Sequence, residues 1–246
     1  MNLSVKECIG LLDLTRLEAV MGDEAAIESL CVKALSPQGD VAAVCVHPGY
    51  VARAVGLLKE SPVFVATVAN FPSGDQSLKR IQSDVEMSLA AGVDEIDVVL
   101  PYKAWLGGDS RAVFTLLEAM RHWLEGRARV KAILETGAMP LPEQRLGLAR
   151  AAAEFGVDFL KTSTGKVAIG ATPEAVAELA MVANEYRKSV PPPGIKVAGG
   201  VRTIAQLYDY IHQVENVMGS TFLVPERLRF GASRLLDDLL CADAST

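Results

Sequence analysis

Short runs of β-branched and apolar residues alternate along this chain with longer segments that have helical spacing. Eight runs show this character: VAAVCV (41–46), VFVATVAN (63–70), DEIDVVL (94–100), VKAILE (130–135), VDFLKTS (157–163), GIKVAG (194–199), the weaker ENVMG (215–219) and RLRFGAS (227–233). Such alternation predicts parallel strands joined by helical crossovers. Eight strands predict an α/β protein with a closed (β/α)8 TIM barrel rather than an open sheet.

The segments between the runs carry signals for helix ends. Helix-like stretches lie near 24–35, 49–60, 76–91, 110–125, 142–155, 173–188, 203–212 and 233–240. Start signals are Asp75, Asp109 before Ser110, Thr172 before Pro173, and Thr203. The glycines of AAGVD and EFGVD fit left-handed caps between helix and strand. We predict one domain over 1–246, in which about residues 1–40 form a helical extension packed on the barrel.

Composition narrows the class of protein. The 246 residues are 50% hydrophobic and 22% charged, with a formal net charge of −6, which is typical of a globular protein and unlike one that follows a nucleic-acid backbone. Neither a signal peptide nor a run of about 18 apolar residues is present, so we expect no membrane span. The four cysteines contain no CxxC pair. These features predict a cytoplasmic protein without a metal site or a disulfide framework.

Three charged residues stand out within the predicted strands as candidates for chemistry: Asp97 in DEIDVVL, Lys161 in FLKTSTGK and Lys196 in GIKVAG. Reactive groups of a barrel lie at the carboxyl ends of its strands. A lysine amine is a nucleophile only when it is neutral, and burial beside a second ammonium lowers its pKa. Lys161 beside Lys196 therefore predicts attack on a carbonyl to form a Schiff base, with Asp97 and Lys196 moving protons. This chemistry requires no metal.

The residues alone leave three other interpretations open. The trio could be a structural ion network, since such networks also perturb pKa values. The protein could be a sugar-phosphate isomerase that uses Asp97 or Glu135 as a base and no covalent lysine. It could also be a phosphate-binding module without catalysis.

Glycine-rich turns follow the last strands. Gly165 and Lys166 follow the Lys161 strand, and Gly199, Gly200 and Arg202 follow the Lys196 strand, while Ser233 follows Gly231 and opens the final helix. Glycines let backbone N–H groups approach an anion, and the late strands of barrels often build a phosphate site. We therefore predict a local phosphate site in an otherwise acidic protein.

Other polar residues carry weaker signals. Cys45 and His47 form C-x-H at a strand end, but without further ligands they do not predict a metal site, and Cys45 is interpreted as a pocket or core residue. Asp13 and Thr15 in LLDLTRL fit either a helix-breaking cap or residues that reach the site. Thr162 and Thr164 are expected to order the end of their strand.

Seven motifs occur in order: AAVCVHP, TVANFPSG, DEIDVVLPY, KAILETG, FLKTSTGK, IKVAGGVR and RFGAS. With DLTRL they resemble the deoxyribose-phosphate aldolase family over about residues 12–240, and KTSTGK followed by KxxGGxR is the most specific part. The resemblance implies a class I aldolase on a TIM barrel that reversibly cleaves 2-deoxy-D-ribose 5-phosphate into D-glyceraldehyde 3-phosphate and acetaldehyde. It also implies no cofactor and a homodimer or higher homo-oligomer.

The resemblance assigns roles by motif. Lys161 matches the Schiff-base lysine, Asp97 the proton-relay aspartate and Lys196 its lysine partner. Positions that hold the substrate phosphate are matched by Gly165, Lys166, Gly199, Gly200, Arg202 and Ser233. The chain departs from the family pattern at its end, CADAST, which lacks the terminal tyrosine of some members. Val197 replaces a proline or small residue, and Arg234 stands where a second serine is frequent, so its contact with phosphate is left open.

Overall fold

The computed structural model describes residues 3–18, 22–188 and 192–243. Its parallel strands close into one barrel, which confirms the predicted fold class. The barrel strands are β1 Leu12–Arg16, β2 Ala43–Val46, β3 Phe64–Ala69, β4 Glu95–Val99, β5 Arg129–Ile133, β6 Phe159–Lys161, β7 Gly194–Ala198 and β8 Leu228–Ala232. Each strand pairs with the next along the chain, and β1 pairs with β8 to close the barrel.

Helices surround the barrel. They are α1 Val5–Gly10, α2 Glu24–Ala34, α3 Val51–Leu58, α4 Leu78–Ala90, α5 Tyr102–Leu106, α6 Ser110–Leu124, α7 Pro142–Glu154, α8 Pro173–Glu185, α9 Ile204–Met218 and α10 Leu235–Asp243. A two-stranded antiparallel pair joins Leu35–Ser36 to Gly39–Asp40 between α2 and β2. In the described part of the chain, no helix is long and apolar enough to cross a membrane.

Two strand assignments from the sequence were wrong. ENVMG (215–219) is not a strand, because its residues continue the helical face of α9 that buries Leu207, Ile211 and Val214. The helix ends only at Gly219, whose φ of 80° suits glycine. The missing strand is β1, which lies inside the region assigned to a helical extension.

The N-terminal forty residues therefore contribute to the barrel itself. They hold two helices, α1 and α2, but β1 between them pairs with both β8 and β2. Aspartate is rare in strands, and the sequence left Asp13 open between a helix-breaking cap and a residue that reaches the site. In the fold Asp13 points into the barrel, where buried cations neutralise it.

Most helix ends follow their sequence signals. Asp109, Thr172 and Thr203 cap α6, α8 and α9 by accepting hydrogen bonds from backbone N–H groups. The cap predicted at Asp75 was wrong, since Ser77 accepts the bond from the Arg80 N–H. Gly92 and Gly156, the glycines of AAGVD and EFGVD, have φ values of 85° and 77° as expected for left-handed caps.

Alternate residues of each strand face opposite sides of the barrel wall. Leu12, Leu14, Ile195, Val197 and Phe230 are fully buried in the layer between strands and helices. Burial of such side chains contributes about 1.5–3 kcal/mol each to stability. The apolar layer therefore holds the wall together, and the inward positions are free to carry charged groups.

Candidate active site

Three strands bring the predicted trio together inside the barrel. The Nζ atoms of Lys161 on β6 and Lys196 on β7 each lie 2.7 Å from Oδ2 of Asp97 on β4. Asp97 and Lys196 are fully buried, and Lys161 is 4% exposed. Lys161 and Lys196 are paired in register on neighbouring strands, so both side chains enter the interior at the same height.

Asp13 on β1 is the residue for which the sequence left two interpretations. It reaches the site, because its Oδ2 lies 2.5 Å from Nζ of Lys196. Its other oxygen accepts a hydrogen bond from Nη1 of Arg229 at 2.7 Å. Thr15 donates to the backbone carbonyl of Asp13 and lines the cavity above the cluster.

A second layer of charges below the trio was not assigned from the sequence. Nζ of Lys131 on β5 lies 2.9 Å from Oδ1 of Asp97 and 2.5 Å from Oε2 of Glu95. Arg229 on β8 lies 3.3 Å from Glu95 through Nη2, and Arg129 contacts the same carboxylate from the lower edge at 2.6 Å. Lys131, Glu95 and Arg229 are fully buried.

The signal for this layer was present in the alternation. Glu95 precedes Asp97 by two positions, so both side chains share the inward face of β4. Register pairs Lys131 with Asp97 and Arg229 with Lys196 on neighbouring strands. A search for charged residues at every inward position would have found all of them.

The lysines of the cluster have unequal proton affinities. Burial, helped by the charge of Lys196, lowers the pKa of Lys161 although Asp97 opposes the shift. For Lys196, burial lowers the pKa but the carboxylates of Asp13 and Asp97 outweigh it, so the pKa is raised. The pKa of Lys131 is raised by Asp97 and Glu95 against the effect of burial. Lys161 is therefore the lysine of this cluster that most readily becomes neutral.

Asp97 is held as a carboxylate. Burial alone would raise its pKa, but the charges of Lys131, Lys161 and Lys196 lower it well below the ordinary value. The pKa of Asp13 is lowered in the same way by Lys196, Lys131 and Arg229, which outweigh the effect of its burial.

A cavity of about 260 Å³ opens above Lys161 at the carboxyl ends of the strands. It is lined by all six residues predicted to hold a phosphate: Gly165, Lys166, Gly199, Gly200, Arg202 and Ser233. Lys166 lies 3.7 Å from Glu18 in a partly exposed ion pair, and Arg202 is exposed at the rim. The structure thus places two cations and the glycine turns around one opening that reaches Lys161.

The glycine turns pack backbone against backbone. Gly165, Gly199 and Gly200 have φ values of 72°, 90° and 91°, which side-chain-bearing residues rarely adopt. A Cβ atom on Gly170 would lie 2.1 Å from the carbonyl oxygen of Gly199. The loop after β6 therefore lies directly on the turn after β7.

Glu135 binds residues at the end of β6 instead of the lysines of the cluster. Its buried carboxylate accepts hydrogen bonds from the hydroxyls of Ser163 and Thr164. Thr162 donates to the carbonyl oxygen of Ala198 and accepts from its N–H, both at 2.9 Å. These bonds order the strand end, as expected for Thr162 and Thr164, and fix the position of the loop that follows Lys161.

Comparisons with known proteins identify the family of this chain. Residues 8–221 match the family model described as DeoC/LacD family aldolase. The chain is 38% identical over 237 residues to the deoxyribose-phosphate aldolase of Agrobacterium fabrum, covering 94% of this chain and 88% of the relative.

The chain belongs to the DeoC/LacD family of aldolases.

Solved structures support the fold of this aldolase. A protein from Coccidioides immitis with a provisional assignment as deoxyribose-phosphate aldolase is 28% identical, with a TM-score of 0.80 over 96% of this chain and 87% of that one. The tetrameric deoxyribose phosphate aldolase of Aeropyrum pernix has a TM-score of 0.80 at 23% identity, over 99% and 94% of the two chains.

Cys45 of the aldolase is an interior residue of β2. Burial, partly offset by Lys196, raises the pKa of its thiol to about 11, which disfavours the thiolate. It packs with Ala66 and Val68, as expected for a core residue. His47 accepts a hydrogen bond from the N–H of Gly49. Among the residues described, no three His, Cys, Asp or Glu side chains group to hold a metal ion.

Two predictions concern the C-terminal part of the aldolase. Arg234 is exposed and is not among the residues that line the cavity, so the structure gives it no place beside Lys166 and Arg202. The tail CADAST was singled out for its missing tyrosine, and its residues 244–246 lie outside the described residues.

Proposed function

We propose that this aldolase reversibly cleaves 2-deoxy-D-ribose 5-phosphate into D-glyceraldehyde 3-phosphate and acetaldehyde through a Schiff base on Lys161. The observation that carries the proposal is the contrast among the interior lysines. Only Lys161 combines a lowered pKa with a position on the cavity wall. The name of the Agrobacterium fabrum relative supports the choice of substrate.

The reaction follows from a neutral amine at this position. Lys161 Nζ attacks C1 of the open-chain sugar, and loss of water from the carbinolamine gives an iminium ion. Removal of the proton of the C3 hydroxyl then breaks the C2–C3 bond, and its electron pair moves to the iminium nitrogen to form an enamine. Glyceraldehyde 3-phosphate leaves at this step. Protonation of the enamine at C2 and hydrolysis release acetaldehyde and restore the amine.

Asp97 and Lys196 supply and receive the protons in this scheme. Asp97 lies 2.7 Å from Lys161, within the distance for direct transfer. Lys196 is bonded to the same oxygen and can return a proton to it. Because the pKa of Asp97 is low and that of Lys196 is high, the pair rests as carboxylate and ammonium.

The phosphate group is assigned to the cavity above Lys161. Lys166 and Arg202 provide positive charge, and the turns at Gly165, Gly199 and Gly200 allow a close approach to the backbone. Ser233 precedes the nine-residue helix α10, whose N-terminus favours an anion. In this arrangement binding of the phosphate orients C1 of the sugar toward the amine.

The isomerase interpretation is less well supported. It requires Asp97 or Glu135 to remove a proton from carbon. Asp97 contacts three lysines, which lower its pKa and favour relay of protons among these groups over removal of a proton from carbon. Glu135 accepts hydrogen bonds from Ser163 and Thr164 instead of facing the lysines.

Assembly and location complete the proposal. The tetramer of the Aeropyrum pernix relative and exposed apolar side chains such as Val32, Ile169 and Met181 support a homo-oligomer. Sedimentation at several concentrations tests it, and a monomer at all of them contradicts it. The buried thiols of Cys8, Cys31 and Cys45, none of them in a disulfide, support a cytoplasmic location.

Borohydride trapping tests the covalent step. The protein is incubated with deoxyribose 5-phosphate, reduced, digested and analysed by mass spectrometry. We expect a reduced adduct on the peptide that contains Lys161 and none on Lys131, which is the matched interior lysine with a raised pKa. Substrate binding to the folded protein without an adduct contradicts the proposal.

A further inference from the structure

Lys131, Glu95 and Arg229 form a buried layer below the residues assigned to proton transfer. None of the three lines the cavity above Lys161. Lys131 contacts Asp97 at 2.9 Å, and Arg229 contacts Asp13 at 2.7 Å, so each is one residue removed from Lys161 or Lys196. Because these side chains are fully buried, water screens their charges weakly.

The fully buried charges of this interior balance only when Lys161 is neutral. Three cations, Lys131, Lys196 and Arg229, face three carboxylates, Asp13, Glu95 and Asp97. A protonated Lys161 would add a fourth cation. Arg129, with a side chain 28% exposed, contacts Glu95 at the lower edge and lies outside this fully buried set, where the partly buried Asp94 and Asp158 also interact with its charge.

The number of carboxylates near each lysine determines which of them is least stabilised as a cation. Lys196 has two carboxylates within 2.7 Å, and Lys131 has two within 2.9 Å and Asp13 at 3.6 Å. Among the described residues Lys161 has one carboxylate partner, Asp97, and shares its oxygen with Lys196. The arginine does not lose its proton in proteins. The excess proton is therefore least stable on Lys161.

We propose that Lys131, Arg229 and Glu95 are positioning residues that set the charge balance of the barrel interior: the two cations keep the Lys161 amine neutral and nucleophilic, and the Glu95 carboxylate acts in the opposite sense by offsetting their charge. The inference rests on the proposed function, because it requires Lys161 to act as a free amine. The inference extends to Lys131 and Arg229 the effect of the Lys196 charge on Lys161, because Lys196 is only one of the three cations that have carboxylate partners.

The groups that face Lys161 come from every part of the barrel. Titratable or charged side chains in the interior are Asp13 of β1, Cys45 of β2, Glu95 and Asp97 of β4, Lys131 of β5, Lys196 of β7 and Arg229 of β8. The inward residues Ala66 and Val68 of β3 are apolar. At the rim stand Glu18, Glu135, Lys166 and Arg202, of which Glu135 is bonded to the loop after β6.

Variants that remove a cation or an anion from the buried layer test the inference. Since the amine must be neutral, kcat/KM rises with pH through the pKa of Lys161 in the free enzyme. Lys131→Met removes a compensated cation and leaves Asp97 to hold the Lys161 proton. We expect the acid limb of the pH profile to move up by about one unit, which is about a tenfold loss of kcat/KM below it.

Glu95→Gln has the reverse effect. It removes an anion, so protonation of Lys161 becomes more costly, and we expect the acid limb to move down by about half a unit. The double variant Lys131→Met/Glu95→Gln removes one charge of each sign and should return the limb close to its original position. Arg150→Met, which breaks an exposed ion pair with Glu185 on the outer helices, is the control and should not move it.

The sign of the shifts separates this role from a structural one. Loss of packing alone would lower kcat/KM at every pH and move neither limb. If Lys131→Met does not fold, as judged by circular dichroism, Lys131→Gln keeps a hydrogen-bond donor toward Asp97 and should give the same upward shift.

Borohydride trapping on each folded variant distinguishes the two proposals. An adduct on Lys161 with opposite shifts of the acid limb supports both the function and the inference. An adduct with limbs that stay in place, or that move in the same direction, overturns the inference alone. Absence of an adduct in the unsubstituted protein overturns the proposed function and the inference with it.

Discussion

Lys161 and Lys196 are register partners on neighbouring strands and donate hydrogen bonds to the same oxygen of Asp97, each at 2.7 Å. Two ammonium groups so close repel each other in a buried site. Lys196 also has Asp13 at 2.5 Å, whereas Lys161 has no second carboxylate among its ion pairs in the described structure. The proton is therefore kept by Lys196, and Lys161 is the amine that can react.

Lys161→Met should abolish cleavage without unfolding the protein. We expect kcat to fall by at least about 10³-fold, because the covalent step is lost. The free energy of unfolding should stay equal or rise, since methionine replaces a buried polar amine by an apolar side chain while Asp97 keeps Lys131 and Lys196 as partners. Turnover and urea denaturation measure the two effects.

The control for this variant is Lys103→Met, which changes an exposed lysine paired with Asp75. It should retain turnover. Full activity of Lys161→Met, or a large loss of activity in the control, would contradict the assignment of the nucleophile.

Lys166→Met should weaken recognition of the phosphate group. The exposed ion pair with Glu18 is weak, so the main loss is the charge offered to the substrate. We expect kcat/KM for deoxyribose 5-phosphate to fall about tenfold. The value for unphosphorylated deoxyribose should not change, and an equal fall for both sugars would show that the lysine acts elsewhere.

Gly170→Ala should disturb the cavity through the backbone. The new Cβ would lie 2.1 Å from the oxygen and 2.5 Å from the carbon of the Gly199 carbonyl, so the loop must move. We expect a loss of about 1–3 kcal/mol in the free energy of unfolding and a raised KM for the phosphorylated sugar.

Gly56→Ala is the matched control for the change at Gly170. Gly56 lies within α3, and nothing stands within 4 Å of its added Cβ. The same substitution should there stabilise the protein by about 0.5–1 kcal/mol and leave KM unchanged. Similar effects at the two glycines would refute the close packing of the two loops.

Acid should destabilise the protein through Asp13 and Asp97. The folded pKa of each carboxyl lies below its ordinary value of 3.8, so the unfolded chain binds more protons as the pH falls. The stabilisation is complete above that value and is lost below it. Urea unfolding at about pH 5 and about pH 3 should show a clear decrease, and a constant free energy over this window would contradict the ion network.

Some of the site could be predicted from local sequence. Alternation placed Phe159, Lys161 and Ser163 on one face of the predicted strand, and the sequence predicted that Asp97 and Lys196 would meet Lys161 if that face is turned inward. The phosphate residues were predicted from glycines that follow late strands, and the cavity does gather them. Their chemical roles stay predictions.

Other features needed contacts that are distant along the chain. Asp13 and Lys196 are far apart along the chain. The strand β1 was mistaken for part of a helical region, because its partner β8 lies at the opposite end of the chain and closes the barrel. Glu135 was expected as a possible base at the rim. Instead, with a backbone φ of 56°, it accepts hydrogen bonds from Ser163 and Thr164 and stabilises the loop after β6.

The alternation of strands and helices and the order of the glycine turns are readable from the sequence, because they depend on patterns within a few residues. Which charges meet depends on the closed barrel. Strand register sets Lys131 beside Asp97 and Arg229 beside Lys196, and it gives Lys196 a second carboxylate that Lys161 lacks. Proton affinity in a buried cluster depends on the distances among all its charges, and those distances exist only once the barrel has closed.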